Sequence, residues 1–130
     1  MLNLTKIHYP CYAGPIPSKG IKGTSYFENS GNIMYYYHSN NFDYIYDYKL
    51  SETDNMPYDL RLSAARHVAN ILRNSGNLLD LPMEIVNNVG ELVALEKRCL
   101  TEGADGVIIN NVLARYGENE PDFFEIKFSK

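Results

Sequence analysis

From Asp43 to Leu50 the tyrosines at 44, 46 and 48 alternate with Ile45, Asp47 and Lys49. Successive side chains of a strand point to opposite sides, so this period of two predicts an extended strand with one face packed. A helix would scatter the three tyrosines around its axis, so the chain must build at least one sheet. The same period returns over 122–128, where Phe124, Ile126 and Phe128 alternate with Phe123, Glu125 and Lys127. A third strand is predicted over 105–112, where Val107-Ile108-Ile109 is bounded by Asp105-Gly106 and Asn110-Asn111, a short apolar run between turn residues.

Two stretches have helical spacing instead. Residues 62–73 place Ala64, Val68, Ile71 and Leu72 on one stripe, with Asn74-Ser75-Gly76-Asn77 as the stop. A second helical region over 80–103 opens at Asp80-Leu81-Pro82, carries Ile85, Val89, Leu92, Leu95 and Cys99, and ends at Gly103, with Gly90 as its possible break. Residues 10–32, holding Pro10, Pro15, Pro17, Gly14, Gly20, Gly23 and Gly31, read as loop and turn. The order of loop, strands, helices, strand and strand predicts one compact α+β domain over residues 1–130 with two or three helices.

Composition narrows the function classes. The net charge of −4 supplies no basic stripe for gripping nucleic-acid phosphates. No apolar run approaches the roughly 18 residues of a membrane span, and the N-terminus lacks a signal peptide's apolar segment, so a cytoplasmic protein is expected. Cys11 and Cys99 stand far apart without metal-ligand spacing, which predicts free thiols and no metal. Asparagine and tyrosine are in excess, as AT-rich coding sequences yield, which suits a phage, virus or low-GC bacterial source. Ten of the 11 tyrosines lie at or before Tyr58, so a tyrosine-rich binding surface is one reading.

No phosphate loop, dinucleotide fingerprint, serine elbow or zinc-protease motif is present, and His8, His38 and His67 have no carboxylate at ligand spacing. The chemistry-bearing cluster is Glu118, Glu120 and Asp122, on a turn leading into the last strand. In an extended turn Glu118 and Glu120 share a side and could face one ligand. The same acids would also serve a plain solvated turn that keeps an edge soluble.

The arrangement of motifs resembles small phage and bacterial ADP-ribosyltransferase-like domains. Gly103-Ala104-Asp105-Gly106-Val107-Ile108-Ile109-Asn110-Asn111-Val112 is similar to that family's G-Y-D-G-V-I-I-x-N strand, and Glu118 to Phe128 to its following acidic strand. Upstream, Cys11-Tyr12-Ala13-Gly14 resembles a degenerate Y-H-G-T strand end. Thr24-Ser25-Tyr26-Phe27-Glu28-Asn29, running to Met34-Tyr35-Tyr36-Tyr37, resembles the Y-F-T-D segment, and 43–50 the strand after it. The likeness covers nearly the whole chain in order, with Ala13 at the position of the family's nucleotide-binding histidine.

The resemblance implies a split-sheet fold, NAD as cofactor and mono-ADP-ribosyl transfer to a macromolecular target. For a phage effector or anti-defence protein that target would be a host protein in the host cytoplasm. It implies a catalytic acid among Glu120, Asp122 and Glu118, held against the ribose, because cleavage of the nicotinamide–ribose bond develops oxocarbenium-like charge. With Glu120 in that role, Glu118 resembles the partner acid of arginine-modifying members. Tyr12, Tyr26, Phe27 and Tyr36 would stack on NAD, and Gly14 would let backbone approach it. Each tyrosine would equally serve to pack a half-buried sheet. A non-enzymatic inhibitor that captures a host protein is the alternative function.

Overall fold

The computed structural model describes residues 7–27, 29–51, 55–74, 76–115 and 123–129. The described chain forms an α+β fold of two four-stranded sheets and two helices. Its elements are β1 (Cys11–Ile16), β2 (Ile21–Phe27), β3 (Asn32–Ser39), β4 (Phe42–Lys49), α1 (Tyr58–Leu72), β5 (Leu78–Asp80), β6 (Glu84–Val86), α2 (Val89–Thr101), β7 (Gly106–Asn111) and β8 (Phe124–Lys127). One sheet has the order β6-β1-β7-β8 and is antiparallel throughout; the other has the order β2-β3-β4-β5, with β5 parallel to β4.

Three apolar layers join these parts. Cys11, Ala13, Val107 and Ile109 on the outer face of the first sheet pack against Leu92, Leu95 and Cys99 of α2. Ile16 and Ile108 on its inner face meet Tyr35, Tyr37 and Tyr46 of the second sheet. Met34, Ile45 and Tyr48 cover Ala65 and Ala69 of α1 on the far side. Val107, Ile108 and Ile109 are thus buried on both faces, which is why β7 reads as an unbroken apolar run. Both thiols are buried and unpaired in the α2 layer.

The strands expected over 43–50, 105–112 and 122–128 are β4, β7 and β8. Along β4, however, the alternation fails between Tyr46 and Tyr48. Tyr35 pairs with Asp47 and Tyr36 with Ile45, so Tyr46 is an extra residue in a β-bulge. Tyr44 and Tyr46 therefore line the inter-sheet layer, while Tyr48 turns to the α1 side.

The loop expected over 10–32 is instead two strands joined by the turn at Pro17–Gly20. Pro15 is tolerated because β6 pairs only with Cys11, Tyr12 and Ala13, which leaves the missing N–H on an unpaired side. A two-residue Asn40-Asn41 turn, with φ of 53° and 69°, closes the β3–β4 hairpin at positions where asparagine tolerates the left-handed region.

The helices also differ from expectation. α1 begins at Tyr58, and its buried line is Tyr58, Arg61, Leu62, Ala65 and Ala69, leaving Ile71 59% exposed. The region 80–103 is not one helix, because Glu84–Val86 is strand β6. Asn88 starts α2 by accepting a hydrogen bond from the Glu91 amide at 3.0 Å, and Glu91 Oε1 in return accepts from the Asn87 amide at 2.9 Å. Ile85 and Val89 are consequently exposed, whereas Leu92, Leu95 and Cys99 are buried. Gly103, with φ of +89°, ends the helix as its spacing predicted.

One charged pair lies wholly inside. Arg61 Nε donates to Asp47 Oδ1 at 2.9 Å and Nη2 to Asp47 Oδ2 at 3.3 Å, both side chains being 0% exposed. Arg61 Nη1 donates to the carbonyls of Met56 at 2.7 Å and Ala114 at 2.9 Å. Arg61→Met should lower the free energy of unfolding in urea by about 3–5 kcal/mol, since it strands a buried carboxylate. Adding Asp47→Asn should recover part of that loss.

Burial pushes the Cys11 thiol from 9.0 up to about 11, because the apolar layer disfavours the thiolate. A folded-state value above the unfolded one means this contribution to stability is complete below about pH 9 and is lost as pH rises toward about 11. Tyr37 and Tyr58, raised chiefly by burial, shift the same way. Urea titrations across that window should show falling stability, and Cys11→Ala should make the fall shallower.

Candidate functional site

At one edge of the stacked sheets β2 of one meets β8 of the other, through Lys22 and Glu125. Lys22, Thr24 and Tyr26 are the register partners of Tyr37, Tyr35 and Ile33, all of which pack between the sheets. Cross-strand partners share a face, so Lys22, Thr24 and Tyr26 look inward. On β8, Glu125 is the partner of inward-facing Ile108, and Phe123, two residues earlier, packs into the same layer. Phe124 and Ile126 turn the other way, onto the α2 layer.

These inward groups touch. Lys22 Nζ donates to Glu125 Oε1 at 3.1 Å and lies 5.4 Å from the Phe123 ring centroid. The Tyr37 hydroxyl donates to Glu125 Oε2 at 2.9 Å. Phe123 stands edge-on to Tyr46 at 5.4 Å, and Tyr46 lies 5.0 Å from Tyr37. Burial first, and then the Glu125 carboxylate, raise the Tyr37 hydroxyl well above the usual tyrosine range, so it is a fixed donor rather than a titrating base. The side chain of Lys22 is 51% exposed and that of Glu125 20%. The site therefore offers a movable cation, a held carboxylate and aromatic faces, which suits an anionic ligand carrying a flat ring.

β8 reaches this position because of Gly106. A Cβ there would lie 2.1 Å from the Ile126 carbonyl oxygen, so only glycine lets the two strands approach. Asp105 is equally structural: its Oδ2 accepts from the Lys19 amide at 2.8 Å, tying the β1–β2 turn to the start of β7.

The residues singled out for NAD divide between layers. Tyr12, Gly14 and Tyr26 face the space between the sheets, but at different places. Tyr12 is edge-on to Tyr58 at 5.7 Å, with the Arg66 guanidinium 6.0 Å from its ring. Gly14 is covered: a Cβ on it would meet Met83 Sδ at 2.7 Å and the Pro82 carbonyl at 3.1 Å. Tyr26 stands 70% exposed at the cleft edge. Phe27 and Tyr36 belong to the opposite face, where Phe27 packs on Tyr48 at 6.1 Å and the Tyr36 ring lies over Gly23. The structure does not bring these five together. Glu118, Glu120 and Asp122 lie outside the described residues. The group that does converge is Lys22, Tyr37, Phe123 and Glu125: the last-strand alternation had placed Phe123 and Glu125 on one face, whereas Lys22 fell in the stretch read as loop.

Among the described residues no three of His, Cys, Asp and Glu are grouped to hold a metal ion, and no helix is long and apolar enough to cross a membrane. A cleft of about 410 Å³ lies between the end of α2 and the β3–β4 turn. Three of its polar side chains have partners within the chain: Ser39 Oγ donates to the Ser18 carbonyl at 2.6 Å, and Arg98 pairs with Glu84 at 2.7 Å.

No family model and no curated protein matches the chain. Among solved structures it is similar to the Chlorella virus DNA ligase-adenylate, with a TM-score of 0.61 and 18% identity. The likeness covers 90% of this chain and 60% of that one, so this chain spans less than two thirds of the ligase's length. At that identity what the two share is the fold.

Proposed function

We propose that the domain binds an adenine nucleotide between its sheets, at the edge where Lys22, Thr24 and Tyr26 of β2 face Phe123 and Glu125 at β8. The carrying observation is the Lys22–Glu125–Tyr37 cluster beside the Phe123 ring. A lysine offers a phosphate a point charge, and aromatic rings offer a base a stacking face. The fold supports the same reading, since the similar Chlorella virus protein is a ligase in adenylate form.

Of the adenine nucleotides, NAD suits the acids that precede β8. Phe123, next in the chain after Asp122, packs in the inter-sheet layer. In this reading the two sheets are the split sheet of an ADP-ribosyltransferase-like domain. Glu120 stabilises the ribosyl cation, with Asp122 as the other candidate, and Glu118 assists the acceptor. The product is a mono-ADP-ribosylated macromolecule, a host cytoplasmic protein if the chain is a phage anti-defence effector. The competing inhibitor function has less support, because Tyr35, Tyr37, Tyr46, Tyr48 and Tyr58 are buried rather than displayed.

Adenosine, AMP and NAD should each raise the melting temperature. At ten times Kd the gain is about 1.4 kcal/mol, or roughly 5 °C for a domain of this size. No shift with any of the three at millimolar concentration would refute nucleotide binding. Transfer is tested separately with labelled NAD and host lysate: Glu120→Gln and Asp122→Asn should reduce target labelling while leaving the NAD melting shift in place. Undiminished labelling in both variants would remove the acids from the mechanism.

A further inference from the structure

We infer that Glu125 acts as an internal competitor for the nucleotide's phosphate, setting how strongly the β2–β8 edge prefers phosphorylated over unphosphorylated ligands. This inference rests on the nucleotide-binding reading above and adds to it the group that tunes phosphate affinity. Glu125 is fixed from two sides. Its backbone is in register with Ile108 on β7, and its Oε2 accepts from the Tyr37 hydroxyl at 2.9 Å. The Lys22 backbone is likewise in register with Tyr37, but its ammonium sits at the end of a flexible stem with 51% of the side chain exposed. An arriving phosphate can therefore draw the ammonium away, whereas the carboxylate stays in place.

The electrostatic consequence follows from that asymmetry. When Lys22 moves to a phosphate, Glu125 keeps its negative charge beside the anion and opposes its binding. A neutral nucleoside neither needs the ammonium nor meets that repulsion. Lys127, the register partner of Gly106 two residues along β8, is exposed and offsets part of the field without contacting the pair. The edge thus holds phosphate more weakly than its cations alone would, and the deficit is specific to Glu125.

The experiment is calorimetric titration of the full chain with adenosine and with AMP, alongside Glu125→Gln and Lys22→Met. Glutamine keeps an acceptor for the Tyr37 hydroxyl, and removes the charge together with the oxygen that accepts from Lys22. Glu125→Gln should tighten AMP about fivefold, the worth of a partly exposed ion pair, and leave adenosine unchanged. Lys22→Met should weaken AMP by about the same factor, again without affecting adenosine. Both effects should shrink in high salt. Adenosine binding with an AMP-to-adenosine ratio that Glu125→Gln leaves unchanged or lowers would overturn the competitor role and spare nucleotide binding. If neither compound binds the parent chain, both readings fail. If Glu125→Gln does not fold, Lys22→Met decides alone: an unaltered AMP affinity overturns the inference.

Discussion

The contact between Arg61 and Asp47 fixes how the layers of this molecule sit on one another. A guanidinium wholly withdrawn from water is costly unless its donors find partners. Here the partners come from three places: the bulge of β4, the Met56 carbonyl before α1 and the Ala114 carbonyl after β7. One side chain thereby ties the start of α1 to the second sheet and to the exit of the central strand pair of the first. The Tyr58 hydroxyl, donating to the Tyr46 carbonyl at 2.7 Å, secures the same junction. Apolar layers alone would hold the sheets together without fixing their relative position, because such packing is non-directional. The buried pair is directional, and it joins α1, the second sheet and the exit of β7 in one arrangement.

The bulge explains why β4 resisted a simple reading. A strictly alternating strand would send Tyr44, Tyr46 and Tyr48 to one face and Ile45, Asp47 and Lys49 to the other. The inserted residue lets Asp47 meet Arg61 while Tyr48 joins the α1 layer, so β4 serves two cores. Nothing in the local pattern of 43–50 marks that insertion. The bulged strand there meets the arginine 14 residues later, a tertiary contact that local periodicity does not encode.

Elsewhere the legible and illegible parts separate on physical grounds. β7 and β8 were readable because their pattern is set by burial, on both faces for Val107-Ile108-Ile109 and on one for Phe124 and Ile126. β1 and β2 were not, because glycine and proline punctuate them: Gly14 lies under Met83, Gly23 under Tyr36, and Pro15 beyond the reach of β6. The two glycines that read as turns answer to close packing, and the proline is tolerated where pairing has ended. The start of α2 was legible in principle, since Asn88-Val89-Gly90-Glu91 has capping-box spacing. An apolar stripe running back to Ile85 obscured it.

The candidate site obeys the same division. Its aromatic content was visible in composition, but sheet pairing sorts those rings, keeping Tyr26 and Phe123 toward the inter-sheet space and sending Phe27 and Tyr36 under α1. Its charges were not visible, because Lys22 and Glu125 are 103 residues apart and meet only when the two sheets stack. Gly106 makes that meeting possible by letting β8 close onto β7, so the Asp105-Gly106-Val107 letters that suggested a family motif have a structural role in this chain. The glycine that admits the strand also places its carboxylate against the lysine. Affinity for any anion at this edge is therefore limited by the contact that brings the strand there.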